Sequence, residues 1–356
     1  MSKDISPEHS KSAVNRAGKR LSEAAESSED LSIIENWRAA HNHVLNTFQA
    51  NLRRRAKLIS ARTPVQRIKR LDTIQNKLVR FETMQLSRMH DIVGCRIVFD
   101  SLDQLQNFRR EFNRSRFSHK RRVKTNGNEV LDAYNYIDHP KTSGYRGVHD
   151  VFEYRAKQGG SLKGAGGEKW NGLNIEIQYR TTVQHAWATA VEICDKFTDN
   201  HGKFSNAPEE YLRYFVLASE LLRRRYEPHT CRQLEDTNQE LVSEFMKLEE
   251  KHGMLKTLKG VKPSDEEFTS SRNSILIFNE IRDEVTVKSY PDFRTAVAEY
   301  FRLEREKDDN TDVVLVAADD AESVRFGFKN YFSDAREFVE LTETACSDLF
   351  NQKFNS

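Results

Sequence analysis

Apolar and aromatic positions recur at helical spacing from Leu31 onward. Ile33, Ile34, Trp37, Ala40, His41, Val44, Leu45, Phe48 and Leu52 trace one face of an amphipathic helix that ends in Arg53, Arg54 and Arg55. Past Thr63 and Pro64, the stretch QRIKRLDTIQNKLVRF repeats the pattern through Ile68, Leu71, Ile74, Leu78 and Phe81 and predicts a second, heavily charged helix. Then the period shortens. DIVGCRIVFD (Asp91 to Asp100) is short, rich in β-branched residues and bounded by acids, so it reads as a strand entered by Asp91 and followed by a helix from Ser101 or Leu102. GVHDVFEYR (Gly147 to Arg155) alternates as a second strand. NIEIQYRT (Asn174 to Thr181) is a third, running into an aromatic-faced helix. Charged helices follow over Glu209 to Tyr226 and Cys231 to His252.

This order predicts an α+β fold with a mixed sheet flanked by helices, spanning residues 31–199. Residues 1–30 carry almost no large apolar side chain and are expected to be a flexible tail. Residues 200–259 form a helical extension, and the Gly, Pro, Ser and Thr of 260–272 mark a linker. From 273 to 356 the order strand, strand, helix, strand, helix describes a small separate α/β domain. Its aromatic run, Phe326, Phe328, Tyr331, Phe332 and Phe338, is too apolar for a solvated surface. It is either that domain's core or a face docked on the rest, with a regulatory or self-inhibitory role as the expectation.

Charge adds one exclusion. Lys and Arg number 56 against 54 Asp and Glu, a formal balance of +2, so nucleic-acid binding has no support from bulk charge and must rest on local clusters. Two exist: Arg53 to Arg55, and the run Arg109, Arg110, Arg114, Arg116, Lys120, Arg121, Arg122 and Lys124. Cys95, Cys194, Cys231 and Cys346 form no CxxC pair, which excludes a zinc ribbon or disulfide framework. With no apolar signal segment and no bilayer-length apolar run, no membrane partner is expected and a cytoplasmic location is.

The candidate chemistry starts from acids on strands, where carboxylates are disfavoured unless something holds them. Asp91 and Glu176 on adjacent strands would hold Mg²⁺ against the phosphates of a nucleotide. Two strand-edge acids paired with arginines produce the same pattern. Arg67, Lys69 and Lys77 clamp phosphates if their segment faces Asp91 and are surface charge otherwise. Lys141, Gly144, Tyr145 and His149 combine a cation, a flexible backbone, a stacking face and an imidazole within nine residues. His90-Asp91 and His149-Asp150 lack the upstream His and downstream Asp that a metal phosphohydrolase needs, and GGSLKGAGGEK lacks P-loop spacing.

In this order, RIKRLDTIQNK, DIVGCRIV, the PKxxGYxxxH loop and EIQYRT resemble the synthetase domain of the RelA/SpoT family, the pyrophosphate transferases that make (p)ppGpp. The resemblance covers about Arg67 to Phe197. It implies a nucleotidyltransferase-like fold that moves the β,γ-pyrophosphate of ATP to the ribose 3′-hydroxyl of GDP or GTP, leaving AMP. It assigns Asp91 and Glu176 as catalytic, metal-holding acids, Glu176 also as a base for the hydroxyl. Arg67, Lys69, Thr73 and Lys77 match the ATP-side pattern. Tyr145 matches the guanine-stacking tyrosine, Lys141 and His149 match groups at the acceptor's phosphates, and Arg96, Gln178 and Arg180 support them.

The chain departs from the family at the acceptor side. Tyr134, Asn135, Tyr136 and Ile137 stand where KDYI is usual, Ser143 stands for Asn and Gly147 for Ser. The alternatives are therefore transfer to the 3′ end of tRNA, helped by the basic run, or to an adenine nucleotide, and a catalytically silent nucleotide-binding module. No hydrolase pattern is present, so no alarmone hydrolysis is expected. A homo-oligomer is compatible with the sequence.

Overall fold

The computed structural model describes residues 4–59, 61–62, 64–115, 117–126, 129–156, 167–197, 209–260, 273–279, 282, 284–308, 310–317, 321–332 and 334–351. The glycine-rich connection over 157–166, Arg116 of the basic run and most of the linker, 261–272, lie outside these residues.

In chain order the elements are α1 (Lys11–Ser22), α2 (Ser28–Ala40), α3 (Asn42–Leu58), β1 (Val65–Ile68), α4 (Leu71–Arg80), β2 (Val93–Phe99), α5 (Leu102–Asn113), β3 (Lys120–Arg122), β4 (Lys124–Asn126), β5 (Glu129–Leu131), β6 (Val148–Glu153), β7 (Asn174–Thr181) and α6 (Thr182–Phe197). There follow α7 (Glu209–Tyr226), α8 (Asn238–His252), α9 (Met254–Gly260), β8 (Asn273–Asn279), β9 (Glu284–Tyr290), α10 (Phe293–Glu306), β10 (Thr311–Ala317), α11 (Ala321–Gly327) and α12 (Arg336–Asn351).

Eight strands form one mixed sheet in the order β3-β6-β7-β2-β1-β10-β8-β9, and β4 and β5 form a separate hairpin. β2 and β7 run parallel; every other ladder is antiparallel. The mixed α+β fold is as the sequence predicts. The separate C-terminal domain is not: β10 lies against β1, pairing Gln66 with Ala317 and Arg67 with Val316, so β8 to β10 complete the same sheet. The apolar strand β10 is buried along almost its whole length, and a strand of that kind needs partners on both edges and cover on both faces.

Three further expectations change. The stretch beginning QRIK is not one helix; Gln66 to Ile68 lie in β1 and α4 begins only at Leu71, because ladders to β2 and β10 override the local helical period. The helix through Leu31 to Arg55 breaks at His41, whose Nδ1 lies 2.7 Å from the Trp37 carbonyl. The supposed tail contains α1, capped by the Ser10 side chain, with Val14, Ala17 and Leu21 fully buried. Small residues at 17 and 18 let this helix pack tightly without large side chains, which is why composition concealed it.

One sheet face buries Ile97, Ile177 and Val313 under α1 to α5 and α10 in a single core. The opposite face is divided. Over β1, β8, β9 and β10 it is closed by Val324, Phe328, Tyr331 and Phe332. The aromatic run therefore does both things foreseen for it: those rings close the sheet, while Phe338 joins α6, α7, α8, α9 and α12 in a helical cluster. Over β2, β7 and β6 the same face carries polar and charged side chains. Among the described residues no helix is long and apolar enough to cross a membrane.

Candidate active site

The register aligns the site. Arg67 on β1 lies opposite Gly94 on β2, Gly94 opposite Glu176 on β7, and Glu176 opposite Val151 on β6; directly paired residues share a face. Arg67 and Glu176 thus flank a position with no side chain. One step along, Arg96, Gln178 and His149 form the next row.

Asp91 precedes β2 and receives both neighbouring lysines. Lys69 Nζ is 2.8 Å from its Oδ2 and Lys77 Nζ 2.8 Å from its Oδ1. Lys69 comes from the β1–α4 turn and Lys77 from α4, with Thr73 one turn before Lys77 on the same helical face. Burial alone would raise the Asp91 carboxyl, but the two ammonium groups outweigh it and hold it well below the usual range. Lys69 is lowered to about 8, by burial first, with Asp91 resisting and Arg67 assisting.

Glu176 is held from the other side. Gln178 Nε2 donates to its Oε1 at 2.7 Å, and His149 Nδ1 lies 3.3 Å from its Oε2. Burial again opposes ionisation, and His149 overcomes it. Among the described residues neither acid meets the arginine partner that the plain strand-edge reading required. Arg180 donates from Nη2 to Gln178 Oε1 at 3.4 Å and from Nε to the Tyr145 hydroxyl at 3.3 Å, so Gln178 and Arg180 brace the row. Arg96 instead donates to the Gly327 carbonyl, with its guanidinium 5.5 Å from the Phe328 ring centre.

His149 Nε2 lies 2.7 Å from the Tyr145 hydroxyl. The Lys141 ammonium sits 4.9 Å from the Tyr145 ring centre and 4.4 Å from that of Tyr136, and Tyr136 meets Tyr145 and His149 edge-on. Tyr136 keeps the Tyr of KDYI, and sequence reasoning assigned it no role of its own beside the departures at Tyr134 and Asn135. Its signal was present in the aromatic spacing of Tyr134 and Tyr136, since Tyr136 N–H donates to the Gly147 carbonyl and the segment continues the sheet beside β6.

The loop carrying Tyr145 rests on α7. Gly144 adopts φ +87°, and an added Cβ would lie 3.1 Å from the Phe215 carbonyl oxygen, so both backbone angle and space call for glycine. Ser219 donates to the Gly144 carbonyl at 2.6 Å. Arg146 reaches the fully buried Glu220 at 3.1 Å, and Glu220 also accepts from Arg223 and Arg224, each at 3.0 Å.

Two shifts in this loop have opposite signs. His149 is raised to about 9, because Tyr145 and Glu176 outweigh burial; it stabilises the fold below its ordinary 6.5, and that contribution is lost as pH rises through 9. Tyr145 is lowered to about 7, because Arg180 and His149 outweigh burial; its contribution is present above 10 and lost as pH falls through 7. Between these limits imidazolium faces tyrosinate. The ultraviolet difference spectrum of wild type against Tyr145→Phe is expected to show a tyrosinate titrating near 7. A midpoint near the ordinary value of 10 would contradict the pairing.

Residues 66–197 match the model of the region found in RelA / SpoT proteins. GTP pyrophosphokinase YjbM of Bacillus subtilis (strain 168) is 30% identical over 141 residues, 39% of this chain and 56% of that protein. The chain thus spans little more than half the length of this relative. Among solved structures, the small alarmone synthetase 1 of Bacillus subtilis bound to its product pppGpp is 22% identical, over 53% of this chain and 90% of its own, with a TM-score of 0.42. Small alarmone synthetase 2 of Bacillus subtilis is 20% identical over 54% and 94%, also with a TM-score of 0.42. The matched stretch contains β2, β6, β7, all of β1 but Val65, and every residue of the Asp91 and Glu176 clusters.

Proposed function

We propose that the chain transfers the β,γ-pyrophosphate of ATP to the ribose 3′-hydroxyl of GDP or GTP, giving (p)ppGpp and AMP. The observation that carries this reading is the convergence of Lys69 and Lys77 on Asp91 on one side and of His149 and Gln178 on Glu176 on the other. Donor-side cations and an acceptor-side aromatic cluster thereby meet at two ionised carboxylates.

In this mechanism Arg67, Lys69 and Lys77 bind the triphosphate and Thr73 offers a hydroxyl beside it. Tyr145, with Tyr136, presents ring faces to the acceptor base, and Lys141 and His149 attract its phosphates. Glu176 accepts the proton of the 3′-hydroxyl as that oxygen bonds to the β-phosphorus; the bond from β-phosphorus to the bridging oxygen breaks and AMP departs. Mg²⁺ fits the pair, since both acids are hard oxygen donors kept ionised and the Asp91 charge pushes against that of Glu176. Asp91 and Glu176 would hold the ion, which would neutralise charge on the phosphates.

A nucleotide acceptor is favoured over RNA because the basic run is partly neutralised. Arg109 binds Asp132 at 2.6 Å and Asp150 at 2.8 Å, and Arg121 pairs with the same acids. The test is incubation with γ-labelled ATP and GDP, GTP, ATP or tRNA. Label is expected in GDP or GTP, with AMP released. Label confined to tRNA would replace the acceptor assignment, and no AMP with any acceptor would make the region a silent binding module.

A further inference from the structure

The turn that carries Lys69 into the site is held by a buried ion pair from outside the RelA/SpoT region. Arg38, on α2, is fully buried and donates twice to the Lys69 carbonyl, from Nε at 3.0 Å and from Nη2 at 2.8 Å. Its Nη1 lies 2.6 Å from Oε2 of Glu304, on α10, and Nη2 is 3.0 Å from Oε1. The Tyr300 hydroxyl bonds both partners, at 2.8 Å and 2.9 Å.

Glu304 Oε1 also accepts from the amide of Leu71 at 2.8 Å. That amide opens α4, whose N-cap residue, Arg70, supplies no capping side chain. A remote carboxylate therefore fills the place of a cap and meets the positive end of the helix. Around it, Arg70 pairs with Asp312 of β10, and Lys307 binds Asp72 at 2.8 Å.

We infer that Arg38 and Glu304 are positioning residues for the ATP side, fixing the turn at its carbonyl and amide ends so that Lys69 and Lys77 converge on Asp91. The inference rests on the donor assignment proposed above. It gives the C-terminal strands and α10 a constitutive part in the donor site in place of a detachable regulatory one. The acceptor cluster of Tyr145, His149 and Lys141 has no bond to this pair and is independent of it.

The test uses the full chain. Because an unpaired buried charge is itself disruptive, the informative variant is the double substitution Arg38→Met with Glu304→Met, which removes both charges and keeps apolar volume. Glu304→Gln, which can still accept from Leu71, is the milder companion. The measurements are thermal unfolding, the Kd for an ATP analogue with a methylene group between the α and β phosphorus atoms, and the Kd for GDP. The double variant is expected to unfold cooperatively near the wild-type temperature, bind the analogue roughly tenfold more weakly or worse, and bind GDP as the wild type does. Glu304→Gln is expected to fall between. Unchanged analogue binding in a folded double variant overturns the inference, as does equal weakening of analogue and GDP, which marks a merely structural pair. Wild-type protein that binds no analogue overturns the donor assignment itself, and the inference with it.

Discussion

Asp91→Asn and Glu176→Gln are each expected to lower pyrophosphate transfer by roughly three orders of magnitude while the fold persists. Both substitutions keep side-chain shape and remove charge. In Asp91→Asn the buried Lys69 loses its anion, but burial has already lowered that lysine to about 8, so it sheds its proton and remains in place. In Glu176→Gln the His149 imidazole loses one of the two groups that keep it charged. The measurement is release of AMP from ATP in the presence of GDP, alongside thermal unfolding. Activity within tenfold of wild type in either variant would remove that residue from the mechanism.

The largest effect on stability is expected from Glu220→Ala. The side chain of Glu220 is fully buried, and its two oxygens serve Arg146, Arg223, Arg224 and the amide of Gln233. Truncation leaves three guanidinium groups around a void without the carboxylate that bonds all of them, and the buried Glu227, whose charge acts on Arg146, is the anion left nearby. Removing one partner of a buried ion pair costs on the order of 3–5 kcal/mol, and here the anion lost serves three cations. Urea unfolding of wild type and variant reads this directly. A loss below about 1 kcal/mol would mean that water reaches the arginines, which surface pairs of that strength imply. The acceptor loop should weaken with it, because Arg146 follows Tyr145 directly and ties the loop to α7.

Local pattern carried much of this site. Strand period and residue type located β2, β6 and β7, and with them Asp91, His149 and Glu176, because each strand pairs with a neighbour inside one stretch of chain. Sequence also placed α7 at its observed bounds: Glu209 and Glu210 begin it and Arg223 to Arg225 end it, matching the helix dipole. What escaped depended on distant partners. β1 is only four residues long and reads as helix until β10 is known to lie beside it. Arg38 looked like any charged residue on an amphipathic helix, and Glu304 like another; neither carries a local sign of a partner 266 positions away. The charges missing at Tyr134 and Asn135 drew attention away from Tyr136, which keeps the Tyr of KDYI and places an aromatic ring under Lys141.

The central place of β1 also sets an order of events during synthesis. β1 and its partner β2 emerge from the ribosome close together, whereas the other edge of β1 stays open until β10 has been made, and Glu304 lies 233 residues beyond the turn it caps. Pairing across such a separation is slow, and a strand edge left open in the meantime invites pairing with other chains. The growing polypeptide therefore carries Asp91 and Glu176 long before Glu304 can bond the turn between Lys69 and Leu71. On the proposed donor assignment, the site would be complete only once α10 and β10 had been made, so an interrupted chain would hold the groups around Asp91 and Glu176 without Glu304.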